Sequence, residues 1–504
     1  MQIDQKAKEV ALLFGTFLIA ISGLVYELLE GTVSSYFLGD SIYHFSLVIG
    51  LFMSSMGIGS YLSRYIEKEL VKVFIHLQLY IAVIGGYSSV ILFYAFGVIE
   101  NYTPFLYLST VLIGALLGIE IPLIIRILKD FFTLKTNVSN VFTMDYIGAL
   151  IAALLFPMVF LPKLGLLQTS LFFGMLNAFV ALMTWFMFRK ELPRITSAYI
   201  FAVILFLGAG FYNLGSFSAF IEHRLYQDEI IYSKTTPYQN IVVTRNDQRY
   251  RLYISGALQF DSLDEYRYHE ALVHPAMIST SSHENVLIIG GGDGMALREV
   301  LKYGDVKRVS LVDLDSAITT LFKENPMLQK LNNSSFNDKR VRVYNEDAWQ
   351  FLEHSKEIYD VIIIDLPDPN NVSLGRLYSK SFYTLIKNHL SFGGAMVTQS
   401  TSPMYAREAY YCIVKTVKST ELHVKAYHVY VPSFGEWGFT LGMKHKIEFK
   451  AEKLPKDLRF LDKTQLEAMS VFPPDMQSMD VKINTLLNHP LIHYYADGWD
   501  YWYE

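Results

Sequence analysis

The sequence predicts a chain in two parts: an α-helical transmembrane bundle of about seven spans, then a Rossmann-like α/β domain entered through a small β-subdomain. Three observations predict this. Apolar residues crowd before about residue 216, and charge crowds after it. The first part consists of apolar runs long enough to cross a bilayer, which takes roughly 20 residues per helix. In the second part apolar strands alternate with amphipathic helices, the pattern of a mainly parallel sheet covered on both faces.

The bulk numbers agree. The chain has 504 residues, of which 52% are hydrophobic, and its mean hydropathy is +0.26. A soluble chain of this length needs more charge on its surface. A net charge of -5 gives no globally basic field, so nucleic acid is not an expected partner. The single cysteine, Cys412, cannot form an internal disulfide, and no Cys/His cluster has zinc-ligand spacing, so no metal is expected. Cys412 is expected in the core of a helix.

The apolar runs are Val10–Leu28, Phe45–Leu62, Val73–Phe96, Pro104–Ile125, Tyr146–Leu166, Leu167–Met187 and Ser197–Leu214. The fifth and sixth are separated only by the turn at Lys163–Leu167 and are expected to form a hairpin. Lys and Arg gather in alternate loops: Lys6 and Lys8, Arg64 with Lys68 and Lys72, Arg126 with Lys129 and Lys135, Arg189 with Lys190 and Arg194. The expectation is a multi-pass protein of the cell membrane, in contact with the lipid bilayer, with these loops and the N-terminus in the cytoplasm. Seven crossings then place the C-terminal part outside, and the sequence leaves that side open. Glu27, Glu30, Glu120 and Asp145 lie in or near the spans. Such groups face a cavity or a partner. Glu30 and Asp145 read as structural, while Glu27 and Glu120 read equally as structural or as a cation site.

The expected organisation is 1–216 helical, 217–285 a small β-subdomain with a linking helix, 286–443 the Rossmann-like domain, and 444–504 a C-terminal extension. Asn240–Thr244 and Arg251–Ile254 read as strands around the Asn246-Asp247 turn, followed by a helix over Tyr266–Met277. The main strands are Val286–Ile289, Val309–Val312, Val341–Tyr344, Val361–Ile364 and Ala395–Thr398. Four of the five end at or near an acid, where open α/β sheets bind ligands. A glycine turn, Gly290 to Gly294, follows the first strand and allows a ligand close to the backbone. Asp313, after the second strand, is placed to bind ribose hydroxyls, and Asp347, after the third, an adenine amino group. For each the alternative is a helix N-cap. The turn has no P-loop lysine and carries Asp293 instead, which repels phosphate and attracts a cation. Asp264, Glu265, Asp365 and Asp368 add to an acidic lining that concentrates positively charged substrates.

These residues carry a family resemblance. The run from Val286 to Gly294, with Leu297-Arg298-Glu299-Val300-Leu301-Lys302 after it, resembles the nucleotide-binding motif of spermidine synthase. So do Tyr238-Gln239, Gly256-Ala257-Leu258-Gln259, the run Asp264 to Glu270, and Asp365-Leu366-Pro367-Asp368-Pro369. The likeness covers about 232–443. The apolar part, with Phe472-Pro473-Pro474-Asp475-Met476 near the end, is similar to the multi-span bacterial branch of that family.

The resemblance implies a methyltransferase-type Rossmann-like fold and an aminopropyltransferase of polyamine biosynthesis, one that makes spermidine. The donor would be decarboxylated S-adenosylmethionine and the acceptor a diamine such as putrescine. Asp365 would be catalytic, deprotonating or orienting the attacking amine. Asp368, Tyr268 and Gln239 would bind the acceptor. Gln259, His269, Gly290, Gly292, Asp293, Gly294, Asp313 and Asp347 would bind the donor. The loop from Asp365 to Asp368 would be a lid. The soluble family's habit of pairing implies a homodimer. Two departures stand out: Phe434 where a tyrosine is usual, and Leu366-Pro367 in place of small hydroxyl residues. Glu436 and Trp437 are candidates for a replacement amine site. Two other functions remain open: a methyltransferase or related enzyme on ordinary S-adenosylmethionine, and a polyamine transporter served by the soluble part. The tail aromatics Trp499, Tyr501 and Trp502 read as packing on the sheet domain or as a membrane-interface anchor.

Overall fold

The computed structural model describes residues 5–38, 41–99, 102–131, 133–226 and 228–503. They form two compact units, Met1–Glu229 and Ile230–Glu504.

The first unit is helical: α1 Gln5–Leu38, α2 Ser41–Leu62, α3 Leu70–Val98, α4 Thr103–Ile127, α5 Leu134–Leu155, α6 Leu161–Phe188 and α7 Ile195–Leu225. Among the described residues, six helical stretches are long and apolar enough to cross a membrane, and the longest spans Leu134–Phe188. That stretch is broken at Gly165, where φ is +71° and ψ −176°. Glycine alone adopts such a backbone without strain, and the break separates the fifth and sixth expected spans. α7 runs on to Leu225, past the compositional boundary at 216, so the unit ends at Glu229. Composition marks where apolar side chains stop, which is not where the helix stops.

The bundle packs backbone to backbone. A Cβ on Gly114 would lie 2.8 Å from the carbonyl oxygen of Phe52, and one on Gly118 would lie 2.1 Å from that of Met56, so α2 and α4 meet along a Gly-x-x-x-Gly stripe. α5 packs on α1, and α6 on α3. The buried Glu30 accepts hydrogen bonds from Ser109 Oγ (3.1 Å) and Thr110 Oγ1 (3.3 Å). The buried Glu120 accepts one from the Gln78 amide.

The second unit opens with a four-stranded sheet: β1 Glu229–Thr235, β2 Asn240–Asn246, β3 Arg249–Ile254 and β4 Ala257–Asp261. β2–β3 and β3–β4 pair antiparallel, with Asp247 at φ +53° in the expected turn. Helix α8, Glu265–Ser279, leads to the main sheet. Its strands are β5 Asn285–Gly290, β6 Arg308–Val312, β7 Val341–Tyr344, β8 Tyr359–Asp365, β9 Leu390–Gln399, β10 His423–Val431 and β11 Gly435–Met443. The spatial order is β10-β11-β9-β8-β5-β6-β7. β7, β6, β5, β8 and β9 run parallel, and β11 is antiparallel to both neighbours.

The five expected strands are present. β10 and β11 lie outside the expected set; in β11, Gly435, Gly438 and Gly442 interrupt the strand and hide its alternation. Each of these glycines has a close neighbour: a Cβ on Gly438 would lie 2.2 Å from the ring of Tyr410. The tail packs on the sheet domain. The carboxylate of Glu270 accepts the backbone N–H groups of Arg459, Phe460 and Leu461 at 2.8, 2.9 and 2.9 Å. Leu461, Leu466 and Met469 join the core on one face of the sheet, and Leu491 joins the core on the other. Cys412 is buried in the helix Arg407–Lys418, within that second core.

Candidate active site

The strand order reverses at β5: the chain steps to β6 and β7 on one side, then to β8 and β9 on the other. Ligands bind at such a switch point, above the carboxyl ends of the strands. Gly290 and Asp365 are register partners there. Gly290 has φ +78°, and a Cβ on it would lie 2.0 Å from the Asp365 carbonyl oxygen. The glycine turn therefore folds directly over the end of β8. The turn then approaches β6: a Cβ on Gly292 would lie 2.6 Å from Asp313 Oδ2. Gly294 (φ +76°) begins α9, Met295–Val300.

Three half-buried carboxyls, Asp293, Asp313 and Asp365, thus gather around one turn. Burial pushes all three above the ordinary carboxylate range, to about 6 for Asp313 and Asp365. For Asp365 the charge of Asp293 adds to burial, while His269 and the Tyr268 hydrogen bond oppose it. Tyr268 Oη donates to Asp365 Oδ1 at 2.7 Å. Asp365 Oδ2 faces the turn, 3.3 Å from where a Cβ on Gly291 would stand. A cationic ligand would relieve this crowding by restoring full charge to each acid.

Near these acids, α8 and α9 share a buried ionic network. His269 Nδ1 stands 2.8 Å from Glu265 Oε2, and Arg298 donates to both Glu265 oxygens at 2.9 Å. Arg298 Nε also meets Glu299 at 2.8 Å, and Glu299 pairs with His274 at 2.9 Å. Burial works against charge on His269, but Glu265 outweighs it and raises the imidazole to about 9. Glu265 thus favours the charged form of His269, and that charge in turn draws Asp293 and Asp365 downward.

Three residues beyond the end of β8 stands Asp368, which is also half-buried and raised by burial to about 6. Gln399 Nε2 donates to its Oδ1 at 3.2 Å, Thr401 Oγ1 to its Oδ2 at 3.4 Å, and the Tyr495 hydroxyl also donates to it. Thr401 holds φ +56°, an unusual backbone for a β-branched residue. Gln399 also donates to the carbonyl of Leu366 (2.9 Å), and Tyr378 Oη to that of Pro367 (3.0 Å). The segment expected to act as a lid is tied down by these bonds, so opening it here would break them.

The remaining predicted residues fall as follows. Gln259 lies on β4, its amide turned to the Ala257 carbonyl at 3.2 Å. Gln239 donates to Asp315 Oδ2 at 3.0 Å, and the backbone N–H of Asp315 donates to Asp313 Oδ1 at 2.9 Å. Asp347 caps the helix Ala348–His354, accepting from the N–H groups of Trp349 (3.0 Å) and Gln350 (3.2 Å), and also pairs with Arg376. Trp437 and Glu436 are adjacent on β11 and so point to opposite faces. Trp437 sits 5.2 Å from Phe434, whose ring lies 6.2 Å from Tyr268. Its buried indole N–H has no hydrogen-bond partner. Glu436 instead pairs with His428 at 2.8 Å. Gln399, Thr401, Tyr378 and Tyr495 were not foreseen. Gln399 was within reach, since it ends β9 as Asp365 ends β8. Tyr495 carries no local signal.

Fold and site together define a nucleotide-binding α/β domain with an acidic cleft suited to cationic ligands. Residues 265–452 match the family model described as "Spermine/spermidine synthase domain". The chain is 47% identical to the polyamine aminopropyltransferase of Leptospira interrogans over 98% of its own length and 99% of that protein's. It is 43% identical to the polyamine aminopropyltransferase of Oceanobacillus iheyensis, covering 96% of each. The crystal structure of spermidine synthase from Thermotoga maritima aligns with 49% of this chain and 85% of its own, at 26% identity and a TM-score of 0.45. The chain belongs to the polyamine aminopropyltransferase family. It is a transferase of polyamine biosynthesis.

Proposed function

We propose that the second unit transfers the aminopropyl group of decarboxylated S-adenosylmethionine to putrescine, giving spermidine. The observation that carries this reading is the line of carboxyls from Asp313 through Asp293 and Asp365 to Asp368, all raised by burial and none carrying an ion pair in the described structure. Asp313 serves the ribose and Asp347 the adenine. Asp293 takes the donor's propylammonium, and Asp368 an ammonium of the acceptor.

The attacking amine must first lose a proton, since an ammonium has no lone pair. Asp365 accepts it at Oδ2, the oxygen that Tyr268 leaves uncommitted. The nitrogen lone pair then forms a bond to the propyl carbon beside sulfur. The C–S bond breaks, its electron pair returns to sulfur, and neutral methylthioadenosine leaves. The absence of a carboxylate on the donor matters, because an α-carboxylate would face Asp293. This disfavours ordinary S-adenosylmethionine and hence the methyltransferase alternative.

The first unit is proposed to lie in the cell membrane. Its outward side chains support this: Leu205 is 74% exposed and Met158 72%, among many large apolar groups with no protein neighbour to cover them. The test for the chemistry is detergent-purified full-length protein given decarboxylated or ordinary donor with a panel of amines, followed by mass analysis. Spermidine with methylthioadenosine is the expected product pair. Methylated product, or none, would refute the reading.

A further inference from the structure

The helix Pro490–Tyr503 lies beyond the matched domain, yet it reaches the acceptor end of the cleft. Leu491, Tyr495, Gly498 and Trp499 recur at i, i+4, i+7 and i+8 and so share one face. Leu491 is fully buried. A Cβ on Gly498 would lie 2.8 Å from Cα of Ala406, so glycine lets the helix backbone rest against the chain at Tyr405–Ala406. Asn484, just upstream, donates to the carbonyls of Gly375 (2.9 Å) and Tyr378 (3.2 Å) and fixes the approach. So seated, the helix brings the Tyr495 hydroxyl onto Asp368. It also stacks Trp499 on Tyr405, with centroids 5.2 Å apart and planes inclined by 24°, and sets Trp499 6.2 Å from Tyr495.

A half-buried carboxylate, a phenol hydroxyl and a stacked aromatic pair are what a primary ammonium on a short alkyl chain requires. The carboxylate and the hydroxyl oxygen accept its N–H donors, and aromatic faces attract its charge and cover the adjoining methylenes. We propose that the C-terminal helix builds the subsite for the acceptor's far ammonium, with Tyr495 and the Trp499–Tyr405 pair completing Asp368. The helix thereby selects acceptors that carry a second charge at that distance. This rests on the aminopropyl-transfer reading above and extends it to residues outside the catalytic domain.

The test compares full-length wild type with Tyr495→Phe and Trp499→Leu, using putrescine and butylamine, which has the same four-carbon chain but only one nitrogen. Tyr495→Phe should raise KM for putrescine about tenfold, the worth of one hydrogen bond to a charged group. Trp499→Leu should raise it severalfold. In both variants kcat at saturation and KM for the donor should stay within about twofold, and butylamine, which lacks the far ammonium, should be used as poorly by the variants as by wild type. Unchanged KM for putrescine would overturn the subsite, and so would an equal rise for both amines. Failure of the wild type to use any amine would instead overturn the transfer reading itself, and this proposal with it.

Discussion

The hydroxyl of Tyr268 stands 2.7 Å from Oδ1 of Asp365 and donates to it, leaving Oδ2 turned toward the glycine turn. Tyr268 comes from α8, ahead of the sheet, and Asp365 from the end of β8. The bond joins the linking helix to the end of β8 and, in the mechanism proposed above, decides which carboxylate oxygen meets the substrate. Tyr268→Phe should preserve the fold and lower kcat roughly tenfold, with little change in donor affinity. Steady-state kinetics beside equilibrium donor binding checks this, and an unchanged kcat would remove the orienting role.

The acidic cleft sets a pH dependence. Asp313, Asp365 and Asp368 sit at about 6, above the usual ~3.9 for aspartate. A carboxyl raised on folding holds its proton more tightly folded than unfolded. Its contribution to stability is complete below the unfolded pKa and is lost as pH rises through about 6. Cationic ligands act in the opposite sense, because they favour the ionised acids. The rise in melting temperature produced by the donor should therefore be larger at pH 7.5 than at pH 5, as thermal shift measurements at fixed donor concentration would show.

Gly290→Ala should damage the site through its backbone. The position holds φ +78°, and an added methyl would meet the Asp365 carbonyl oxygen. The positive φ alone costs about 1–3 kcal/mol, and relieving the clash moves Asp365. Both melting temperature and turnover should fall, turnover the more steeply.

The ionic network near the acids should prove a stability element. Arg298 is 12% exposed and binds Glu265 and Glu299, which are 7% and 2% exposed. Removing one partner of a buried network leaves uncompensated charge, which costs about 3–5 kcal/mol. Arg298→Ala should lower the unfolding free energy of the second unit by an amount in that range, as denaturant titration would read it. Arg298→Lys should recover only part of the loss, because an ammonium cannot grip both Glu265 oxygens in parallel.

What the sequence made legible was local. Periodicity located the five parallel strands, the glycine turn and the acids that end the strands, since each depends on neighbouring residues. Asp313 and Asp365 were found through their place in the β–turn–α repeat. What escaped was set by contacts across long stretches of chain. Tyr495 meets Asp368 from a segment far along the chain, which Glu270 ties down at Arg459–Leu461 and Asn484 holds further on. The opposed directions of Glu436 and Trp437 follow from β11, a strand masked by its glycines. Asp347 could be read as a nucleotide ligand or as a helix cap. It caps its helix and pairs with Arg376, with no bar to a further acceptor role.

The most direct test of the account is methylthioadenosine release by Asp365→Asn in a single turnover with decarboxylated S-adenosylmethionine and putrescine. Asparagine keeps the shape and can still meet Tyr268, but it cannot take the proton. Release should slow by about 10²–10⁴-fold while donor binding persists. Release at the wild-type rate would contradict the role of Asp365 and the mechanism built on it.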